Sequence, residues 1–309
     1  METAGNTKPK LQSFVSLLKG AWRGYVERFR VLIGIFAIPV IGGIVASLMM
    51  EVDLVALKTI GILFAIVLSI IFYVASLASI HSAFNNSGIK EAYRFGFKNF
   101  FPFIWLTILS TLSIAGGMIM LIIPGIILSL AFSFGIYVFV EKGLRGFQAL
   151  GRSAQYVKGY WWPVFWRYLG LFLLALLIAL VIGAPALLLG RTASNIISSV
   201  LNLFFAPFAI LFTFYLYKDL VEKKAGFLPE MSPGRKKFYI TSAIVGLIGL
   251  VILATLAGLL IGSLFLFKNV PQDGSYQFDF SYPEISPPAT PAGEATYSST
   301  SLPQIEIGF

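Results

Sequence analysis

The chain contains no cysteine and a single histidine, His81. The first absence excludes disulfides, thiolate metal sites and a cysteine nucleophile. The second leaves little to build a metal site, which usually needs three or four protein ligands. No cluster of carboxylates accompanies His81, which has Ser82 and Asn85 for neighbours. Charge is also scarce. Only 12% of residues are Asp, Glu, Lys or Arg, against about 25% in a soluble domain. So little polar surface cannot cover a water-soluble particle. No phosphate-cradling glycine loop and no Ser-His-Asp set is present, so neither a cofactor nor a catalytic residue is expected.

What is abundant is apolar. Hydrophobic residues make up 57% of the 309 and phenylalanine alone contributes 29. A helix needs about 20 apolar residues to cross the hydrocarbon core. Stretches of that kind lie near 31–50, 57–79, 103–122, 125–140, 164–183, 196–217 and 239–267. No Asp, Glu or Lys stands at the centre of any of them, where a charge costs about 2.5–3.5 kcal/mol on insertion. Arg167 lies in the first turn of the fifth and is expected to snorkel to the interface. The reading is an all-α, polytopic transmembrane helical bundle of about seven spans. The first apolar run begins thirty residues in, too late for a cleaved signal, so the first span is expected to stay in the mature protein.

The third and fourth spans form one uncharged run, 103–140, of 38 residues. As one helix it would be roughly 57 Å long, nearly twice a hydrocarbon core of about 30 Å. Pro124-Gly125 is the helix-breaking pair placed to turn it back, and a tight hairpin is expected there. Ser129 and Ser133 suit a fourth span packed against protein.

With seven spans and the N-terminus inside, twenty of the 23 Lys and Arg residues fall on the cytoplasmic side. Lys58, Arg191 and Lys268 fall outside, while the acidic residues divide seven to seven. Only the cations are sorted, as the positive-inside rule requires. A multi-pass protein of the cell membrane follows, with a cytoplasmic N-terminus and an extracytoplasmic C-terminal tail. Basic residues that follow the inner face point to anionic lipid as the partner and away from nucleic acid.

Three of the cytoplasmic segments have a helical apolar period. In 11–30, Leu11, Phe14, Leu18, Trp22, Tyr25 and Phe29 share a face opposite Lys19, Arg23, Glu27 and Arg30. In 89–100, Ile89, Ala92, Tyr93 and Phe100 oppose Glu91, Arg94 and Lys98. In 144–161, Leu144, Phe147, Leu150, Ala154, Val157 and Trp161 oppose Arg145, Gln148 and Arg152. Such spacing gives amphipathic helices, and basic residues beside aromatics suit the headgroup layer. Lys19, Arg23, Arg94, Arg145, Arg152 and Lys158 are the candidate lipid-headgroup ligands.

Each of these helices precedes two spans. Lys98-Asn99-Phe100-Phe101-Pro102 and Lys158-Gly159-Tyr160-Trp161-Trp162-Pro163 enter a span in the same way, with Pro in its first turn. Three parallel cassettes are therefore expected, at about 11–80, 88–140 and 143–217, in a six-span core covering 1–225. Linker and seventh span occupy 226–268. The segment 269–309, rich in Pro, Ser and Thr, reads as a disordered tail. Gly258 and Gly262 form a GxxxG pair, expected to serve helix packing within the chain, with self-association or a membrane partner as the alternative. Pro39, Pro185 and Pro207 are expected to kink spans one, five and six.

The stretch from Pro124-Gly125 through Glu141 to Ala149, Ser153, Lys158-Gly159 and Tyr160 carries a resemblance. A Pro-Gly opens a span, an acidic residue closes it, and an Ala-x-x-x-Ser helix ends in Lys-Gly-aromatic. This resembles the membrane domain attached to some bacterial glycerophosphodiester phosphodiesterases and related polytopic proteins. It covers about forty residues closely and 11–225 loosely. In those enzymes the chemistry resides in a separate soluble barrel, and no stretch here reads as one. The resemblance implies an architecture, not an activity. The expected role is that of a non-catalytic organiser of lipid or partner proteins, with a transporter or lipid translocator as the alternative.

Overall fold

In the computed structural model, residues 9–224 and 232–268 are described. The expected tail at 269–309 and most of the linker lie outside them. Residues up to Gly258 belong to one compact unit and those from Leu259 to a second. The described residues are helical with no strand. They include seven helices long and apolar enough to cross a membrane, so the chain is an all-α polytopic bundle.

The helix α1 (Phe14–Glu27) starts at Ser13, whose hydroxyl accepts from the Ser16 N–H and satisfies one of the free donors of the first turn. Then follow α2 (Phe29–Glu51) and α3 (Val55–Asn85) as the first antiparallel pair. The short α4 (Ile89–Lys98) leads into α5 (Phe100–Met120). The fourth span is two pieces, α6 (Ile122–Phe132) and α7 (Gly135–Lys142). Gly143 ends α7 at φ 67, a left-handed conformation that glycine adopts without cost. Next come α8 (Gly146–Val157), α9 (Trp161–Ile178) and, beyond an irregular turn that includes the three-residue α10 (Ala184–Ala186), α11 (Arg191–Lys223). The last helix, α12 (Pro233–Lys268), opens on Pro233, where a missing N–H costs nothing.

The run 103–140 does turn back, but three residues earlier than Pro124 suggests. The break is at Leu121, which is extended at φ −165° and ψ 142°, and Pro124 sits inside the first turn of α6. A proline is tolerated there because that turn has no acceptors for its N–H groups. Gly125 makes the hairpin tight: a Cβ on it would lie 2.7 Å from the Met118 backbone nitrogen. The fourth span is the most enclosed of the seven, in keeping with Ser129 and Ser133, although both hydroxyls donate to carbonyls of their own helix.

The core gathers where α1, α7, α8 and α11 meet. Phe134, Phe212, Leu216, Tyr217, Leu150 and Leu17 are fully enclosed there. Without a hydrophobic force between helices in lipid, close packing and hydrogen bonds hold such a bundle. Hence α12 lies on α5 through small residues. The Ser242 hydroxyl donates to the Ser113 carbonyl at 2.6 Å, and a Cβ on Gly116 would fall 1.7 Å from the Ser242 carbonyl oxygen.

One expectation about packing is not met among the described residues. Nothing described lies within 4 Å of a Cβ on Gly258 or Gly262, so that pair does not pack within the described chain. The seam runs through Ser113, Gly116, Ser242 and Gly246 instead. In addition, α8 is largely enclosed by protein. Nine of its twelve residues are buried, Ser153 and Gln155 among them, because it closes the end of α5, α6 and α7. Amphipathic spacing shows that a helix has an apolar face and leaves open what covers it.

Candidate functional site

Span five loses its regular form where Pro185 intervenes. A proline cannot donate to the carbonyl four residues back, and its ring crowds that carbonyl. The helix responds by widening to a π-turn at Ala179–Gly183, in which the Ala184 N–H reaches the Ala179 carbonyl. The turn continues through α10 and a 3₁₀ segment, Leu187–Leu189, to Gly190 at φ 92. Near this turn α9 and α11 converge, and towards their opposite ends they separate.

The start of α1 fills the gap. The Phe14 ring stands where a Cβ on Gly170 of α9 would be, 2.8 Å away, and lies 5.5 Å from the Phe212 ring of α11. Tyr215 of α11 packs on Gly20 and Gly24. The α1 face buried by this contact is Leu17, Ala21, Gly24 and Tyr25, rotated from the expected one. Trp22, on the apolar face by spacing, is 60% exposed.

Three polar contacts hold α1 in place. The buried Asp219 carboxylate accepts from the Gln12 N–H at 2.8 Å. Arg167 donates through Nε to the Gln12 carbonyl at 3.0 Å and through Nη1 to the Pro163 carbonyl at 2.7 Å. The Tyr160 hydroxyl donates to the Pro9 carbonyl at 3.1 Å. Arg167 therefore ties the chain entering α1 to α9, rather than reaching freely to the interface.

Below α1 the separated helices leave a lateral groove of about 1120 Å³. Leu174, Ile178 and Ile182, at fourfold spacing, form one wall from α9. Leu201, Phe204, Phe205 and Phe208 form the other from α11. The α1 side contributes Leu18, Trp22, Tyr25 and Val26, with Phe29 just beyond its end. Aromatic contacts stiffen it: Tyr25 meets Phe208 edge-on at 6.2 Å, and Phe29 stacks on Phe204 at 6.2 Å. From Leu174 to Ile182 the wall extends roughly 12 Å along the span, at 1.5 Å per residue. Every charge on the lining belongs to α1, namely Lys19, Arg23 and Glu27, one turn apart on an exposed face. None of the three is ion-paired among the described residues. The Tyr25 hydroxyl has no hydrogen-bond partner among the described residues, and burial raises its pKa.

The six candidate headgroup ligands do not converge. Lys19 and Arg23 share this groove. Lys158 lines another, beside Arg235. Arg94 on α4 and Arg145 before α8 are exposed elsewhere, and Arg152 is half-buried on α8. The spacing of 19 and 23 was visible in the sequence. The apolar walls 150 to 190 residues away were not, because nothing local shows which way a π-turn directs its helix.

Glu141, the acid that closes span four, has partners that local reading missed. Its sequence neighbour Lys142 lies 3.4 Å away, while Tyr217 donates to Oε2 at 2.7 Å and Lys218 to Oε1 at 2.9 Å. Lys218 also lies over the Phe84 ring, 4.7 Å from its centroid. Both carboxylate oxygens are thus engaged in fastening α7 to α11. His81 stacks on Phe95 at 4.0 Å with Nδ1 3.1 Å from the Ser87 hydroxyl. No metal-competent cluster occurs among the described residues.

No protein-family model matches the chain, and neither does any curated protein or solved structure.

Proposed function

We propose that the protein is a non-catalytic membrane protein that holds an anionic lipid in the groove between α9 and α11. One observation carries this reading: an apolar slot, open sideways, is overlooked at one end by Lys19 and Arg23, unpaired among the described residues, with Glu27 one turn further along the same exposed helix face. Acyl chains suit the walls of Leu, Ile and Phe, and a phosphate suits Lys19 and Arg23. The cation distribution supports a cytoplasmic N-terminus and hence an inner-leaflet lipid. The likeness to the membrane domain of glycerophosphodiester phosphodiesterases agrees with a lipid-facing role and adds no activity.

A lipid translocator is the second reading, favoured by the irregular fifth span. It calls for polar groups along the path of a headgroup. The walls beneath α1 are apolar from Leu174 to Ile182, which favours holding a lipid over passing one.

Native mass spectrometry of the protein from mixed phosphatidylglycerol and phosphatidylcholine tests the reading. Each cation near an anionic surface contributes about 1 kcal/mol. Lys19→Gln with Arg23→Gln should therefore weaken phosphatidylglycerol retention about 30-fold. Equal retention by the double variant and the parent would overturn the reading.

A further inference from the structure

A second groove lies at the foot of the seventh span. It has a volume of about 480 Å³ between α6, the junction of α8 with α9, and the start of α12. Ile127, Ala131, Trp161 and Phe238 are among its apolar walls, and Lys158 and Arg235 are the only charged residues on its lining among the described residues. Lys158 stands just before α9 and Arg235 in the first turn of α12, so both occupy the cytoplasmic ends of spans by the charge-sorting argument. Neither is ion-paired among the described residues; Arg235 has only a 3.4 Å contact from Nε to the Ser232 hydroxyl. The neighbouring Lys224 is already engaged by the carbonyls of Gln155 and Lys158.

Two cations with no ion pair among the described residues stand over an apolar slot, an unfinished electrostatic arrangement. We infer that this groove is a second site for an anionic phospholipid, whose phosphate lies between Lys158 and Arg235 and whose acyl chain lies along Ile127 and Phe238. Charge fixes the class of the ligand. A zwitterionic lipid brings its own cation to a site with no carboxylate on its lining. A soluble anion would use the cations and gain nothing from the apolar wall. Ile127 and Phe238 are 43% and 44% exposed, so the slot opens where a lipid chain can enter sideways. A lipid there bridges α12 to α6 and α9, beside the contact of Phe132 with Tyr239 at 5.0 Å. This site is independent of the groove between α9 and α11, and either can exist without the other.

The test uses the full chain in nanodiscs with phosphatidylglycerol carrying a photoreactive group on its acyl chain. Peptides of α6 or the start of α12 should be labelled. Lys158→Gln with Arg235→Gln should lower that labelling about 30-fold at limiting lipid, and Lys19→Gln with Arg23→Gln should leave it unchanged. Ile127→Trp, which fills the slot from its open side without altering charge, should lower it as well. Inorganic phosphate should not compete. Labelling that persists in both the charge variant and Ile127→Trp would overturn the proposal. So would equal labelling by a phosphatidylcholine probe, or competition by inorganic phosphate, which would make the site one for a soluble anion.

Discussion

Tyr93 places its hydroxyl 2.5 Å from the Ile35 carbonyl, and burial pushes its pKa up to about 12. An ionised phenolate could neither donate that bond nor tolerate the enclosure. The raised pKa therefore means stability that is fully present below about pH 10, the ordinary tyrosine value. It is lost as pH rises through about 12. Absorbance titration at the phenolate band should show one late-ionising tyrosine fewer in Tyr93→Phe than in the parent. The substitution itself should cost about 1 kcal/mol, the net worth of one hydrogen bond. If the two titration curves superimpose, Tyr93 does not hold α4 to α2 in this way. Residues of this kind show the reach of sequence reading. Tyr93 was legible as part of an apolar face, and its acceptor 58 residues away was not. The same holds for Glu141. Its neighbour Lys142 was visible, and Tyr217 and Lys218, 76 and 77 positions on, were brought to it only by packing.

The helices themselves were largely legible, because a bilayer leaves few ways to satisfy a backbone. Span ends moved by a few residues, and the turn in 103–140 moved from Pro124 to Leu121. Their contacts were less legible. Small residues are common throughout such helices, so a GxxxG pair at 258 and 262 outweighs Ser242 and Gly246 on paper, yet the latter carry the α5–α12 seam. The seam offers a sharp test. A Cβ on Gly246 would come within 2.0 Å of the Leu112 carbonyl, and one on Gly116 within 1.7 Å of the Ser242 carbonyl. Backbone cannot yield to that degree without parting the helices, and overpacking of this type costs about 1–3 kcal/mol or more. The chain has no native cysteine, so Ser113→Cys with Ser242→Cys gives a clean cross-linking pair. It should form a disulfide in the parent background and fail to form one when Gly116→Val is added. Cross-linking that survives Gly116→Val would mean that α12 is held elsewhere.

For the molecule as a whole, cation sorting and contacts between loops are two separate lines of argument. Thr192 hydrogen-bonds Glu51, which brings the α2–α3 turn to the turn before α11. At the other end Arg28 reaches the Ser82 carbonyl, Lys218 reaches Glu141 and Gln12 reaches Asp219. The first end carries Lys58 and Arg191, two of the three cations assigned outside, and the second carries the basic helices. What cation sorting cannot supply is the separation of α9 from α11, because it depends on how a π-turn bends a helix and not on which side a loop lies. Single-cysteine labelling joins the two arguments. In intact cells, a membrane-impermeant thiol reagent should modify Lys58→Cys and Arg191→Cys. It should spare Lys98→Cys and Lys142→Cys until the membrane is opened. The critical pair is 98 and 142, which flank the third and fourth spans. A hairpin turning at Leu121 puts both on one side, and a single tilted helix would put them on opposite sides. Modification of only one of the two in intact cells would reverse every later span. It would also move Lys158, Arg235 and their groove to the opposite leaflet from Lys19 and Arg23.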